Sequence, residues 1–293
     1  MDDPEGHIEV LGGRVWYQRL GDGPGTPVLM LHGGPGAAHY YLRPFAERLA
    51  QTRPVILYDQ LGCGRSDQPD DPSLWTFDRF VTEVDTVREA LGLVRCHLFG
   101  QSWGGWLAIE YLCRGTTGVE RVVLASTSAS VPQFTDEART LIEALPEPAR
   151  TTLIELGQRG EYDHPDYREA VLVFYRRHLC RLDPWPDAMQ RTADAIDGNQ
   201  VYLTMNGPTE FDVIGEQLRD WDRTADLGRI TIPTLVTCGR YDEITPACSE
   251  TITAGIPNAR MVVFEDSAHC AHLEELPRYT DEVVAFLDGP AAD

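Results

Sequence analysis

The run His97-Leu98-Phe99-Gly100-Gln101-Ser102-Trp103-Gly104-Gly105-Trp106 constrains this chain more than any other stretch. A short apolar strand pattern enters it, a helical pattern leaves it, and between them stands Gly-x-Ser-x-Gly. Such a turn holds its serine in a strained conformation and needs glycines where the backbone folds tightly around it. The helix that follows aims the positive end of its dipole at the serine. A strand passing straight into a helix in this way belongs to a sheet whose neighbouring strands run parallel.

The flanking sequence has the same grammar. Short β-branched and apolar runs recur at His7–Val10, Arg14–Leu20, Pro27–His32, Pro54–Asp59, Cys96–Gly100 and Arg121–Ser126. Helical patterns lie between several of them, at Tyr41–Thr52, Phe77–Leu91 and Trp103–Arg114. The alternation predicts an α/β core, a mostly parallel sheet flanked by helices. The opening pair, joined at Gly12-Gly13, predicts an antiparallel hairpin at the sheet edge. From about Val131 to Trp221 the strand signal disappears, and helices are expected at Glu137–Leu145, Pro148–Gln158, Pro165–Cys180 and Asp187–Ile196. Strand patterns return at Thr234–Cys238 and Arg260–Phe264, before a closing helix at Tyr279–Leu287. The expected organisation is a core of residues 1–130 and 223–293, interrupted by an inserted helical cap domain, 131–222. An insertion there sits over the carboxyl ends of the strands, where open α/β sheets bind ligands.

Ser102 is therefore the candidate nucleophile. Its partners are expected in the order serine, acid, histidine. Asp242 follows the strand Thr234–Cys238, and His269 follows the strand Arg260–Phe264. His272, three residues on, is expected to be structural. His32, in the glycine loop, is expected to be a hydrogen-bonder rather than a base. That loop, His32-Gly33-Gly34-Pro35-Gly36, can turn a backbone N–H toward a developing oxyanion. Gly34 and Trp103 are the candidate donors. The loop is also of a kind that cradles phosphate, but neither G-x-x-x-x-G-K nor G-x-G-x-x-G is present. The chemistry expected is attack of Ser102 on a carbonyl, with His269 taking its proton and Asp242 orienting the imidazole, through an acyl-enzyme that water hydrolyses.

Composition narrows the partners. With 25 basic and 46 acidic residues the net charge is −21, and every basic residue is Arg. Nucleic acid and anionic membranes are disfavoured partners. No apolar run reaches the ~18 residues of a spanning helix, and no secretory signal is visible at the acidic start. Seven cysteines, an odd number without a C-x-x-C pair, suggest reduced thiols and a cytoplasmic protein. No cofactor is expected. His269 and His272 form an H-x-x-H pair, but no further ligand cluster surrounds it, and no metal is expected.

Six blocks then carry a resemblance: HGGPG at 32–36, YDQLGCGRSDQPDD at 58–71, GQSWGG at 100–105, MNGPTEF at 205–211, WD at 221–222 and GRYDEITP at 239–246. The chain resembles the proline iminopeptidase family of α/β-hydrolases, the branch that includes tricorn-interacting aminopeptidases. The MNGPTEF block is far more specific than the serine turn, since general hydrolases lack it. The resemblance implies the α/β-hydrolase fold, a cap domain, and an exo-acting enzyme that needs a free α-amino group. It implies that Glu210 and Glu243 hold the substrate ammonium, the alternative being that both are solvated surface charges. Glu274 is expected to cap a helix or lie on the surface. The expected substrate is an aminoacyl amide or short peptide, with proline or another small residue released. One rival is an amidohydrolase that unmasks a non-peptide biosynthetic intermediate by removing its aminoacyl group. Others are an ester hydrolase, for which Glu210 would be idle, and a dead hydrolase serving as a ligand receptor. Phe174, Tyr175, Trp185, Tyr202 and Phe211 are candidates for a cap pocket or for cap core.

Overall fold

The computed structural model describes residues 4–289. Eight strands form one sheet: β1 (Glu5–Val10), β2 (Gly13–Leu20), β3 (Val28–Leu31), β4 (Val55–Tyr58), β5 (Cys96–Gln101), β6 (Val119–Ala125), β7 (Thr234–Gly239) and β8 (Ala259–Phe264). Their spatial order is β1-β2-β4-β3-β5-β6-β7-β8. Only the β1–β2 and β2–β4 pairings are antiparallel. The opening pair is thus the edge hairpin that the Gly12-Gly13 turn predicts, with Val10 paired to Gly13.

The helices are α1 (Arg43–Leu49), α2 (Phe77–Ala90), α3 (Trp103–Cys113), α4 (Val131–Glu143), α5 (Ala149–Arg159), α6 (Pro165–His178), α7 (Asp187–Ile196), α8 (Gln200–Met205), α9 (Pro246–Gly255), α10 (Ala271–Glu274) and α11 (Leu276–Leu287). The central strands are buried along their whole length, which is why they read as continuous apolar runs rather than as alternation. Apolar side chains gather on both faces of the sheet. Phe80, Val84 and Trp103 lie on one side, and Phe45, Phe99 and Tyr279 on the other.

Helices α4 to α8 all fall between β6 and β7. Helix α4 begins six residues before the expected Glu137, because Ser130 caps it by accepting from Gln133 N–H and Pro132 occupies its first turn. The short α8, capped by the Asn199 side chain, and α9, opened by Pro246, were not expected. The closing helix starts three residues earlier than Tyr279, at Leu276. No helix among the described residues is long and apolar enough to cross a membrane.

Candidate active site

The serine turn has the geometry its sequence demands. Ser102 has φ 55° and ψ −122°, outside the ordinary regions for an L-residue. Gly104 stands where no side chain fits, since a Cβ there would lie 2.0 Å from the Leu31 carbonyl oxygen. Helix α3 can thus press against the end of β3. Trp103 is the first residue of α3, a position whose N–H has no acceptor within the helix. In the glycine loop, Gly33 N–H is committed to the Tyr41 hydroxyl at 2.7 Å. Gly34, with φ 107°, borders the same cavity as Ser102.

His269 and Asp242 come together from separate loops. Nδ1 of His269 lies 2.7 Å from Oδ1 of Asp242, and both residues are buried. The same Oδ1 accepts from Ile244 N–H at 2.9 Å, which fixes the carboxylate. The Asp242–His269 contact places the ring proton on Nδ1 and leaves Nε2 as the free edge. That edge faces Glu243, whose Oε1 is 3.8 Å away. Burial disfavours a charged ring, but Asp242, Glu243 and Glu210 outweigh it and push the His269 pKa up to about 9. An ordinary value near ~7 is what the sequence alone suggests. The difference is the three surrounding carboxylates.

Glu243 is 1% exposed, so it is no surface charge, and its Oε2 has no hydrogen-bond partner among the described residues. Burial pushes its carboxyl well above the usual range, while His269 pulls it down. Glu210 arrives from the segment after α8. Its N–H donates to the Tyr175 hydroxyl at 3.2 Å, and the Tyr202 hydroxyl pulls its carboxyl down against the effect of burial. Burial raises this carboxyl too. Its loop is shaped by Asn206, whose side chain donates to the Thr209 carbonyl at 2.8 Å. Gly207 has φ 148°, and a Cβ there would meet the Asp212 carbonyl oxygen at 2.2 Å. The Asn and Gly of MNGPTEF therefore build the bend that presents Glu210.

A cavity of about 280 Å³ brings together Ser102, His269 and Glu210. Gly34, Ser102 and His269 border it from the sheet side, and Tyr175, Trp185, Tyr202 and Glu210 from the inserted helices. Phe174 and Phe211 instead pack on each other, ring centroids 4.6 Å apart, inside the helical layer. His272 is buried, and desolvation together with His269 lowers its pKa to about 3. His32 Nε2 accepts from Gln60 N–H at 3.0 Å, so its Nδ1 carries the proton, donated to the Gly33 carbonyl.

Two supports escaped the sequence reading. The His178 carbonyl, at the end of α6, accepts from Glu243 N–H at 3.1 Å and from His269 N–H at 3.2 Å. Glu274 accepts from Arg181 N–H at 2.6 Å and from Ala268 N–H at 2.8 Å. It is a bridge between the inserted helices and the histidine loop, not a helix cap. Local patterns carry no trace of such contacts, because the partners are distant in sequence.

The fold and the site define an α/β-hydrolase, and the family model for the alpha/beta hydrolase fold matches residues 26–276. The proline iminopeptidase of Heyndrickxia coagulans is 40% identical over 97% of this chain and 98% of its own length. The crystal structure of the proline iminopeptidase of Mycobacterium smegmatis superposes with a TM-score of 0.90 at 36% identity, covering 97% of each chain. That of VinJ superposes with a TM-score of 0.93 at 37% identity, over 97% of this chain and 98% of its own. The chain belongs to the proline iminopeptidase family and is a hydrolase of the aminopeptidase type.

Proposed function

We propose that this enzyme removes one amino-terminal residue, proline or another small residue, from a short peptide or amide through an acyl-enzyme on Ser102. The observation that carries the reading is that two buried carboxylates flank His269: Glu210 lines the Ser102 cavity with it, and Glu243 Oε1 stands 3.8 Å from its Nε2. A desolvated carboxylate pair is costly unless a cation joins it. The substrate's α-ammonium is such a cation, held a few ångströms from the scissile carbonyl. Residues 131–222 act as the cap that closes the site and supplies Glu210.

In this mechanism the Ser102 hydroxyl attacks the carbonyl carbon as its proton passes to His269 Nε2. Asp242 holds the ring by Nδ1 and stabilises the imidazolium. The N–H groups of Gly34 and Trp103 receive the oxyanion. The imidazolium then protonates the leaving amine. Water, deprotonated by the same Nε2, releases the free amino acid. The seven free, buried thiols support a cytoplasmic setting.

The test compares a prolyl anilide with its N-acetylated form in wild type, Glu210→Gln and Glu243→Gln. A hydrogen bond to a charged group is worth roughly 1.5–3 kcal/mol. Either variant should therefore lose about ten- to a hundredfold in kcat/KM on the free amine. The acetylated substrate should be poor for all three proteins. Equal turnover of both substrates by wild type would refute the exo-acting reading and favour an ester hydrolase.

A further inference from the structure

Orienting an imidazole takes one carboxylate, and His269 has three around it. Asp242 occupies the Nδ1 edge at 2.7 Å. The Nε2 edge must offer a lone pair when Ser102 gives up its proton. Yet Oε1 of Glu243 stands 3.8 Å from Nε2, and Glu210, which lines the same cavity as the ring, adds its charge. Glu243 is buried with an unpartnered Oε2, and among the described residues His269 is its one ion-pair partner.

The other titratable groups near the ring supply no cation. His272 is held neutral by burial. The Cys270 thiol is pushed up by Cys180 and by burial. The phenols of Tyr41, Tyr175 and Tyr202 are kept protonated by burial. His178, whose carbonyl accepts from His269 N–H, is lowered by burial and donates from Nδ1 to the Tyr241 carbonyl at 2.8 Å. Burial pushes the Glu243 and Glu210 carboxyls up as well, so the cluster shares a proton. With Asp242 at one ring edge and Glu243 at the other, the imidazolium is the cation that answers the carboxylates before substrate binds.

We propose that Glu243, backed by Glu210, holds His269 protonated and non-basic until the substrate's ammonium replaces it as the counter-charge, so that the substrate's own amine switches the base on. The inference rests on the amine-binding reading above and adds a place for the proton. As the ammonium docks between Glu210 and Glu243, the imidazolium releases its Nε2 proton to water. One cation replaces another, the charge of the cluster is unchanged, and Nε2 becomes free to accept the Ser102 proton. A substrate without an amine then fails twice, lacking the ionic contact and meeting a base that is already protonated. One charge at 4–6 Å moves a pKa by about 1–3 units. Below the ring's pKa, the gate is therefore worth roughly ten- to a thousandfold in the fraction of neutral base.

The experiment is an NMR titration of His269, labelled at Cε1 and assigned with His269→Asn. Wild type is titrated alone and saturated with pyrrolidinium, a cyclic ammonium ion with no carbonyl to attack. Competitive inhibition of prolyl anilide hydrolysis reports binding independently. The expected result is competition together with a fall of His269's pKa by about 1–3 units. Glu243→Gln should show the lowered value without any amine and respond little to it. Competition with no movement of the wild-type pKa overturns the gate and leaves the amine site standing. Absence of competition overturns both. A Glu243→Gln variant that keeps the wild-type value removes Glu243 as the group that holds the proton, and Glu210→Gln then tests its neighbour.

Discussion

At the residue scale, His269 and His272 are three positions apart and chemically opposed. His269 meets Asp242 at one ring edge and Glu243 at the other. His272 packs edge-on against Tyr41, centroids 5.3 Å apart, with its Nε2 unpartnered. Substituting His269 by Ala should cost on the order of 10³-fold or more in kcat/KM. His272→Ala should leave kcat/KM within a few-fold but lower stability by about 1–3 kcal/mol, because a buried ring is lost. A kcat/KM–pH profile reports the free enzyme. With the folded pKa raised to about 9, activity should still be climbing between pH 7 and 9, as the ring loses its proton. A plateau already reached at pH 7 would contradict the crowding of carboxylates around the ring. That Asp242 would meet His269, and that Ser102 and His269 would face one cavity, was legible because each lies in the turn after a strand. The roles of Tyr175 and Tyr202 were not, since a hydroxyl that meets Glu210 from another helix leaves no local pattern.

At the element scale, the inserted helices fasten to the core at the points where the site residues stand. The end of α6 receives Glu243 N–H and His269 N–H, and the first turn after it is held by Glu274. Asn199, ahead of α8, caps that helix through Oδ1 and donates from Nδ2 to the Gly62 carbonyl at 2.8 Å. This second tie anchors α8, and with it the Glu210 loop, to the YDQLGCGRSDQPDD block. Glu274→Gln keeps the shape but turns an amide nitrogen toward one of two backbone donors. It should lower Tm and slow fluorophosphonate labelling of Ser102 by about tenfold, by loosening the His269 loop. The exposed Glu169→Gln on α6 is the control and should change neither. An unchanged labelling rate in Glu274→Gln would reduce the bridge to packing. Continuous apolar runs separated by helical patterns made the sheet readable, and the turn residues at Ser130 and Pro132 carried the true start of α4. Helix α9 stayed hidden because four of its ten residues are Ser, Thr or Ile and it lacks a clear apolar stripe. Each tie across the seam has a backbone N–H or C=O on at least one side, which any residue in that place supplies equally well.

At the scale of the whole molecule, the acid side of stability depends on where the chain re-enters the core. Glu110 on α3 is buried and accepts from Arg223 Nε at 2.7 Å, Arg114 Nη2 at 2.9 Å and Trp221 Nε1 at 3.1 Å. Trp221 stacks on Phe77, centroids 5.5 Å apart, so the WD block seats the returning segment against α2 and α3. Burial raises the Glu110 carboxyl, but these donors outweigh it and lower its pKa to about 2. A folded value below the unfolded one gives stability that is complete above pH ~4.5 and is lost as pH falls toward 2. The shift corresponds to about 3 kcal/mol, reduced toward about 2 because both arginines are partly exposed. Acidification has a second effect on a chain of net charge −21, since protonating surface carboxylates relieves repulsion. A pH scan of wild type alone mixes the two. Glu110→Gln separates them, because repulsion is nearly the same in both proteins. Urea unfolding should find the variant less stable at pH 6.5, with an arginine left short of its partner. The gap should close by about 1–2 kcal/mol at pH 3.5, where Glu110 begins to protonate as the chain unfolds. A gap that stays constant between the two pH values would mean that Glu110 titrates alike in the folded and unfolded chain. The fastening of the returning segment would then be apolar, through Trp221 and Phe77, rather than ionic.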